Sequence, residues 1–181
     1  MKIIAQILGV IAMVLNVSIF SFKRQRTMII VQFIASVLFV LNMFMLGAIS
    51  GGLMNVAAMI RGIVYMNKER IGKYKWYFTA GLIILYCVLY VLGFVAFGKP
   101  ATMRNIIIEF LPLLGIVLMT LGFAVDSAKK TRIFGFANSS PWLVYNIINF
   151  NIGGIICEIA CMISVGYGMW RYDRKGAKEN G

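Results

Sequence analysis

Long apolar runs separated by short basic clusters dominate this sequence and limit what it can fold into. A membrane-spanning helix needs about 20 mostly apolar residues. Seven runs of that kind lie at residues 3–20, 28–46, 50–66, 76–97, 105–125, 133–150 and 152–170. Hydrophobic residues make up 61% of the chain and charged residues 13%, against about 25% charged residues in soluble domains. A soluble fold of this size could not bury so much apolar surface, so we predict an all-α integral membrane protein.

The basic residues decide between seven and six membrane helices. Pro141 lies inside the sixth run and would kink an ordinary helix, so the alternative is six helices with the last one starting at Pro141. Fourteen of the 18 lysines and arginines fall in four clusters, at residues 23–26, 68–75, 129–132 and 171–178. With seven helices all four clusters lie on one side, which the positive-inside rule assigns to the cytoplasm. We therefore expect seven helices, with the N-terminus outside and the C-terminus in the cytoplasm.

Composition also excludes several classes of function. The net charge of +12 is typical of nucleic-acid binding, but the clustering of these charges between apolar runs indicates membrane lipid as the partner and no nucleic acid. The chain has no histidine, and its three cysteines, Cys87, Cys157 and Cys161, all lie in apolar runs. Cys157 and Cys161 are one helical turn apart, but two thiols without a third ligand make a poor metal site. We predict no metal, no cofactor and no enzymatic activity.

The two ends of the chain resemble each other, which predicts an internal repeat. Over residues 8–26, seven of 19 positions are identical to the residue 106 places later, and Gly51-Gly52 recurs as Gly153-Gly154. Three helices begin and end on opposite sides of a membrane, so one extra helix must return the chain before a parallel second unit starts. This 3+1+3 plan gives a first three-helix bundle at 1–66, a linker at 67–103 with its helix at 76–97, a second bundle at 104–172 and a cytoplasmic tail at 173–181.

A set of specific residues carries a resemblance to a known family. The set comprises a proline–tryptophan pair, two asparagines, paired glycines, a glutamate and two dipeptides further upstream: Pro141-Trp142, Asn146, Asn149, Gly153-Gly154, Glu158, Leu111-Pro112 and Ile60-Arg61. On these residues the chain resembles the bacterial inner-membrane YgjV family, and its 3+1+3 plan resembles the SWEET/PQ-loop/PnuC-like superfamily. The resemblance implies a SWEET-like fold in the bacterial inner membrane, and it names no substrate.

Polar residues at membrane depth define the candidate site, because they are costly there and tend to be functional. Four of them share one face of the predicted sixth helix through their helical spacing: Asn138, Trp142, Asn146 and Asn149. The matching face of the second helix presents Gln32 and Ser36. Two such faces across a pseudo-two-fold axis would line a cavity. Hydrogen bonding that only holds the helices together is the alternative.

The resemblance to sugar-transporting SWEETs adds two positions to this site. Those proteins use an aromatic residue on helices two and six and an asparagine on helices three and seven. Trp142 and Asn55 match by position, whereas Ser36 and Glu158 depart, which puts a sugar substrate in doubt. Glu158 lies seven residues into the seventh helix. It is either a group that binds substrate or a proton, or a structural partner of Arg61.

Three other charges are expected near the membrane surfaces. Arg61 lies about one turn inside the end of helix three and should snorkel to the headgroups. Glu109 should be a hydrated carboxylate at the interface, and Asp126 a solvated charge at the end of helix five.

Pro112, inside helix five, is either a hinge for alternating access or a local kink.

Together these features predict a small-molecule membrane transporter or facilitator, with a central polar site between two helix bundles and an unidentified substrate. The alternative is a membrane receptor or assembly protein of the same fold that transports nothing. The short loops and tail favour a transporter, because a receptor needs a sizeable loop or tail to signal. The glycine-rich outer face of helix three leaves homo-oligomerisation open.

Overall fold

The structure is a computed structural model that describes residues 2–45, 49–96, 100–149 and 152–173. Within these ranges the chain is helical and has no β-strand. Seven long helices and one short helix make up the fold: α1 (Lys2–Ser18), α2 (Gln25–Met45), α3 (Ile49–Met66), the short α4 (Lys68–Ile71), α5 (Lys75–Val95), α6 (Met103–Ala124), α7 (Ala128–Ile148) and α8 (Ile152–Gly168). The seven long helices confirm the seven predicted helical segments. The predicted ends at residues 46, 97 and 150, and the tail after residue 173, lie outside the described residues.

Hydroxyl side chains mark where two of the helices begin. Thr102 precedes α6, and its hydroxyl accepts a hydrogen bond from the backbone N–H of Asn105 at 3.3 Å. Ser127 precedes α7 and accepts in the same way from the N–H of Lys130 at 3.4 Å. A side-chain oxygen in this position satisfies one of the free N–H groups of a helix N-terminus. The cap at Ser127 starts α7 several residues before the apolar segment that was predicted at residue 133.

Two helices continue through a proline. Pro112 lies inside α6, and Pro141 lies inside α7. Membrane helices tolerate proline where neighbouring helices and side chains satisfy the freed backbone groups. Because α7 runs from residue 128 to residue 148, the six-helix alternative, in which a helix would start at Pro141, is wrong.

The outer surface of the helices is apolar, as a membrane requires. By length and hydropathy, four helical segments among the described residues could cross a membrane: Ile3–Ser21, Gln25–Asn42, Lys68–Val95 and Met103–Ala124. A shorter apolar segment lies at Met54–Met66. Large apolar side chains point outward along the helices, and Ile3, Val95 and Ile163 are 72%, 76% and 68% exposed. That α3, α7 and α8 also cross the membrane stays a prediction.

The long helices pack in two sets with matching neighbours. α2 packs against both α1 and α3, and α7 packs against both α6 and α8. The first set meets the second along two seams, because α1 contacts α8 and α3 contacts α6. α5 lies beside the second seam and contacts both α3 and α6.

Most of the buried apolar core lies toward the end of the helices that carries the basic clusters. Its members at this end come from the 3₁₀ turn that follows α1, from the last turns of α3, α6 and α8 and from the start of α2: Ile19, Phe20, Met28, Ile29, Tyr65, Phe123, Ala124 and Val165. The Tyr65 and Phe123 rings meet edge to face across the α3–α6 seam, with centroids 6.1 Å apart. This core closes the space between the two sets of helices at the basic end.

Candidate functional site

A cavity of about 760 Å³ lies between the two sets of helices. All seven long helices contribute to its wall. One end is bounded by Ile19, Phe20 and Met119 of the apolar core, and the other end reaches the exposed Leu92 and Ala96 of the α5 C-terminal region. Small-molecule sites in proteins have volumes of about 300–1,000 Å³, so this cavity is large enough for a small organic ligand.

Seven of the eight predicted site residues lie on the wall of this cavity: Gln32, Ser36, Asn55, Asn138, Trp142, Asn146 and Glu158. They come from α2, α3, α7 and α8. The structure therefore brings together residues that are up to 126 positions apart, from Gln32 to Glu158. Their role in binding a substrate stays a prediction.

Asn149 is the exception, because it does not lie on the cavity wall. It follows the last residue of α7, is exposed and is not part of the cavity wall. Its amide Nδ2 donates to the carbonyl of Tyr145 at 2.9 Å. The helical spacing failed here because α7 ends at residue 148, so that Asn149 serves the helix terminus instead of the polar face.

Trp142 is held in the wall by a close approach of α6 and α7. Gly115 of α6 lies directly against the indole, and a Cβ atom at that position would be 2.6 Å from Cδ1 of Trp142. Such a separation is too short for any residue with a side chain, which is why glycine is needed there. The indole also meets the Tyr145 ring edge to face, with centroids 5.9 Å apart. These two contacts restrict the indole to one orientation beside the cavity.

Several wall residues are deeply buried although they are polar. Asn146 is 5% exposed and lies so close to Gly154 of α8 that a Cβ atom there would overlap its amide. Ser36 is 4% exposed. Within the described part of the chain, the buried atom Gln32 Oε1 has no hydrogen-bond partner, whereas the Ser139 hydroxyl lies beside the Glu158 carboxyl. Because buried polar atoms are almost always hydrogen-bonded, Gln32 Oε1 departs from the usual pattern.

Arg61 lies on the cavity wall and does not reach the membrane surface, so the prediction that it snorkels is wrong. The residue is 2% exposed. Its guanidinium stacks over the Phe123 ring, with its central carbon 5.5 Å from the ring centroid. α3 packs on α5 and α6, and this packing turns the side chain inward. The sequence of α3 alone does not indicate which helices it packs against, and so does not predict this inward direction.

The wall also contains polar residues that the sequence analysis did not assign to the site. Glu109 was expected to be a hydrated interfacial charge, but it is partly buried and lines the cavity. The Tyr145 hydroxyl contacts its Oε1 at 3.5 Å. Asn16 of α1 also lines the cavity, and its Nδ2 lies 3.6 Å from the sulfur of Cys161. Glu109 and Pro112 are three residues apart on one face of α6, a spacing that could have indicated the position of Glu109.

Comparison with known proteins now gives the family. The model of one family, described as a bacterial inner membrane protein family (Imp-YgjV), matches residues 3–176. The chain belongs to the YgjV family. The match confirms the family predicted from the Pro141-Trp142 region and the bacterial inner-membrane setting. No curated protein and no solved structure matches the chain.

At the basic end of this YgjV-family chain, one polar cluster joins both sets of helices. Asp126, between α6 and α7, bridges Lys68 of α4 at 3.0 Å and Lys75 of α5. Gln25 of α2 accepts a hydrogen bond from Lys68 and donates to the hydroxyl of Thr131 at 2.6 Å. Hydrogen bonds from Lys75 and then Lys68 hold the pKa of the Asp126 carboxyl below its ordinary value. Asp126 is exposed as predicted, but it is an ion-pair centre rather than a free charge.

Arg132, predicted as part of a cytoplasmic basic cluster, is buried in the same region. It is 1% exposed and pairs with Asp173 at 2.7 Å. Arg26, its counterpart in the proposed repeat, is exposed. The two arginines therefore have different surroundings, although the proposed repeat pairs them.

Proposed function

We propose that this YgjV-family protein is a small-molecule transporter or facilitator of the bacterial inner membrane, and not an enzyme. The observation that carries the proposal is the cavity of about 760 Å³ between the two sets of helices, whose wall contains polar and charged residues. Polar groups inside a membrane protein are costly and commonly mark a substrate or ion pathway. Its partners in this proposal are membrane lipid and one unidentified small molecule.

The proposed architecture is the 3+1+3 plan of SWEET-like proteins. Its support is the pattern of contacts, in which α2 and α7 are central to their sets and α5 connects the two. In this plan all seven long helices cross the membrane, the N-terminus is outside and the basic end faces the cytoplasm. The substrate site then lies between the repeats, as in other transporters with parallel repeats.

The mechanism we propose is alternating access. In the present conformation the apolar core and the Asp126 bridges close the basic end, while the cavity reaches exposed residues at the opposite end. Release to the cytoplasm requires the two sets of helices to separate at the basic end, which breaks the bridges from Asp126 to Lys68 and Lys75. Because these ion pairs are partly exposed to solvent, each contributes roughly 0–1 kcal/mol. They can therefore be broken and re-formed in a transport cycle.

A labelling experiment tests this proposal without knowledge of the substrate. A cysteine is introduced at Ser36, which is buried on the cavity wall, while Cys157 and Cys161 are replaced by serine. A membrane-impermeant thiol reagent is then applied to right-side-out and to inside-out vesicles. We expect labelling of the new cysteine from both sides, because a transporter exposes its site to each side in turn.

The chain contains its own control for this labelling. Cys87 is exposed on the outer face of α5 and is not part of the cavity wall, so a reagent confined to water should not modify it from either side. The same labelling is repeated in the variant Asp126→Asn, which weakens the contacts at the basic end. Labelling of position 36 from one side alone in both proteins would favour the receptor or assembly protein. Labelling of Cys87 at the same rate would show that the reagent reaches lipid-facing residues.

A further inference from the structure

Arg61 on the cavity wall carries a charge that no ion pair balances among the described residues, although the Tyr86 hydroxyl lies beside its guanidinium. The side chain is 2% exposed. Its Nη1 lies 3.5 Å from the carbonyl oxygen of Ile116, at the upper limit for a hydrogen bond. Its Nε is buried and has no hydrogen-bond partner among the residues that the structure describes. The Phe123 ring faces the guanidinium, but a ring accepts no strong hydrogen bond from it.

Arg132 is a buried arginine of the same chain whose guanidinium has a complete set of hydrogen-bond partners. It is 1% exposed, as deeply buried as Arg61. Its Nε donates to the carbonyl of Phe20 at 3.1 Å, its Nη2 to the carbonyl of Phe22 at 2.6 Å, and its Nη1 to the carboxylate of Asp173 at 2.7 Å. Every nitrogen of this guanidinium therefore has a partner, and one of the partners is an anion.

Arg61 has no such anion. Among the described residues, ion pairs join Asp126 with Lys68 and Lys75 and Arg132 with Asp173, and none of these involves Arg61. Glu158 lies on the wall of the same cavity but makes no ion pair with Arg61. A buried charge is normally paired, because removing it from water without a partner is strongly unfavourable. Arg61 therefore has the features of a binding site for an anionic group that the chain itself does not supply.

We propose that Arg61 binds an anionic group of the transported molecule, a carboxylate or a phosphate. The inference rests on the proposed transport function and names its substrate class, a small organic anion. The planar guanidinium offers parallel N–H groups that match the oxygens of either anion. Ile116 and Phe123, beside Arg61, place this group at the closed end of the cavity. Glu158 on the same wall disfavours a second anionic group and suits a hydroxyl or an amine.

The first arm of the test needs no ligand. The melting temperature of the full chain in detergent is measured for wild type, Arg61→Gln and the matched variant Arg132→Gln. If Arg61 serves a ligand, Arg61→Gln should melt within about 2 °C of wild type or above it. Arg132→Gln should melt several degrees below wild type, because it leaves Asp173 without its partner. A loss in Arg61→Gln as large as that in Arg132→Gln, or failure of Arg61→Gln to fold, would make Arg61 structural and overturn the inference.

The second arm identifies the charge of the ligand. A small-molecule extract of bacteria is separated by ion exchange into anionic, neutral and cationic fractions, and each is added at the same ionic strength. The anionic fraction should raise the melting temperature of wild type by about 3 °C or more, leave Arg61→Gln unchanged and act partly on Arg61→Lys. Loss of the effect after phosphatase treatment would identify a phosphate monoester, and persistence would exclude one.

The outcomes of this arm separate the two proposals. A shift that comes from the neutral or cationic fraction alone, or an equal shift in Arg61→Gln, would keep a ligand-binding cavity and refute the role of Arg61. No shift with any fraction would contradict the transport function itself, because the extract would then contain nothing that the cavity binds.

Discussion

The contact between Gly115 and Trp142 allows a quantitative test of how the cavity wall is built. In Gly115→Ala the new methyl group would lie 2.6 Å from Cδ1 and 2.7 Å from Nε1 of the indole, and 3.2 Å from the carbonyl oxygen of Asn138. The indole must move, and the space that it can move into is the cavity. Overpacking of this kind costs about 1–3 kcal/mol, while replacing glycine by alanine inside a helix contributes about 1 kcal/mol in the opposite direction.

Gly81→Ala isolates the steric part of this change. Gly81 lies two turns inside α5, and among the described residues nothing lies within 4 Å of a Cβ atom placed there. Both variants gain the same helix propensity, so their difference in stability measures the clash at Trp142 alone. We expect Gly115→Ala to be about 2 kcal/mol less stable than Gly81→Ala. For a chain of this length that is about 6 °C in melting temperature, measured by circular dichroism in detergent.

The tryptophan signal adds a second readout to this experiment. Because the indole should be displaced into the cavity, the fluorescence spectrum of Gly115→Ala should differ from wild type, whereas that of Gly81→Ala should not. Equal melting temperatures for the two alanine variants would refute the reasoning, because they would show that α6 and α7 do not approach each other as closely as described.

Three further changes have expected outcomes. Glu158→Gln should abolish the thermal stabilisation given by a ligand extract, and Asn149→Ala, off the cavity wall, should retain it; equal loss in both would remove Glu158 from the site. Asn42→Ala removes a buried hydrogen bond of 2.6 Å to the Ala5 carbonyl and should lower stability by about 1–3 kcal/mol in thermal unfolding; an unchanged melting temperature would contradict this contact. Because the pKa of Asp126 is lowered, its ion pairs stabilise the fold above the ordinary carboxyl pKa, and this stabilisation is lost as the pH falls through the lowered value. Asp126→Asn should therefore show a smaller acid-induced fall in melting temperature than wild type. An equal fall in both proteins would refute the bridge.

The helices and most of the polar wall could be predicted because both depend on short-range patterns. Apolar runs set the helix positions, and spacing along α7 put Asn138, Trp142 and Asn146 on one face that the structure turns toward the cavity. Asn149 does not lie on this wall, because the spacing of polar residues does not indicate where the helix ends. One residue beyond α7, the side chain turns back to a backbone carbonyl.

The errors at the charged residues have a common physical cause. Whether Arg61 reaches the membrane surface depends on what α3 packs against, and its neighbours Ile116 and Phe123 are 55 and 62 positions away. Asp126 is exposed at a helix end as predicted, but its ion pairs with Lys68 and Lys75, which come from distant helices, were not predicted. Charges near a membrane surface are assigned from local sequence, and local sequence does not contain these tertiary contacts.

The central claim is that a small molecule crosses the membrane through the cavity, and solute release from loaded proteoliposomes tests it most directly. Liposomes containing the protein are filled with a bacterial small-molecule extract, and the solutes that leave are identified by mass spectrometry. Ser36→Trp fills the cavity, and Val88→Trp, on the exposed face of α5 outside the wall, is its control. We predict that wild type and Val88→Trp release at least one solute that Ser36→Trp retains. Retention of every solute by wild type, at the level of liposomes without protein, would contradict the account.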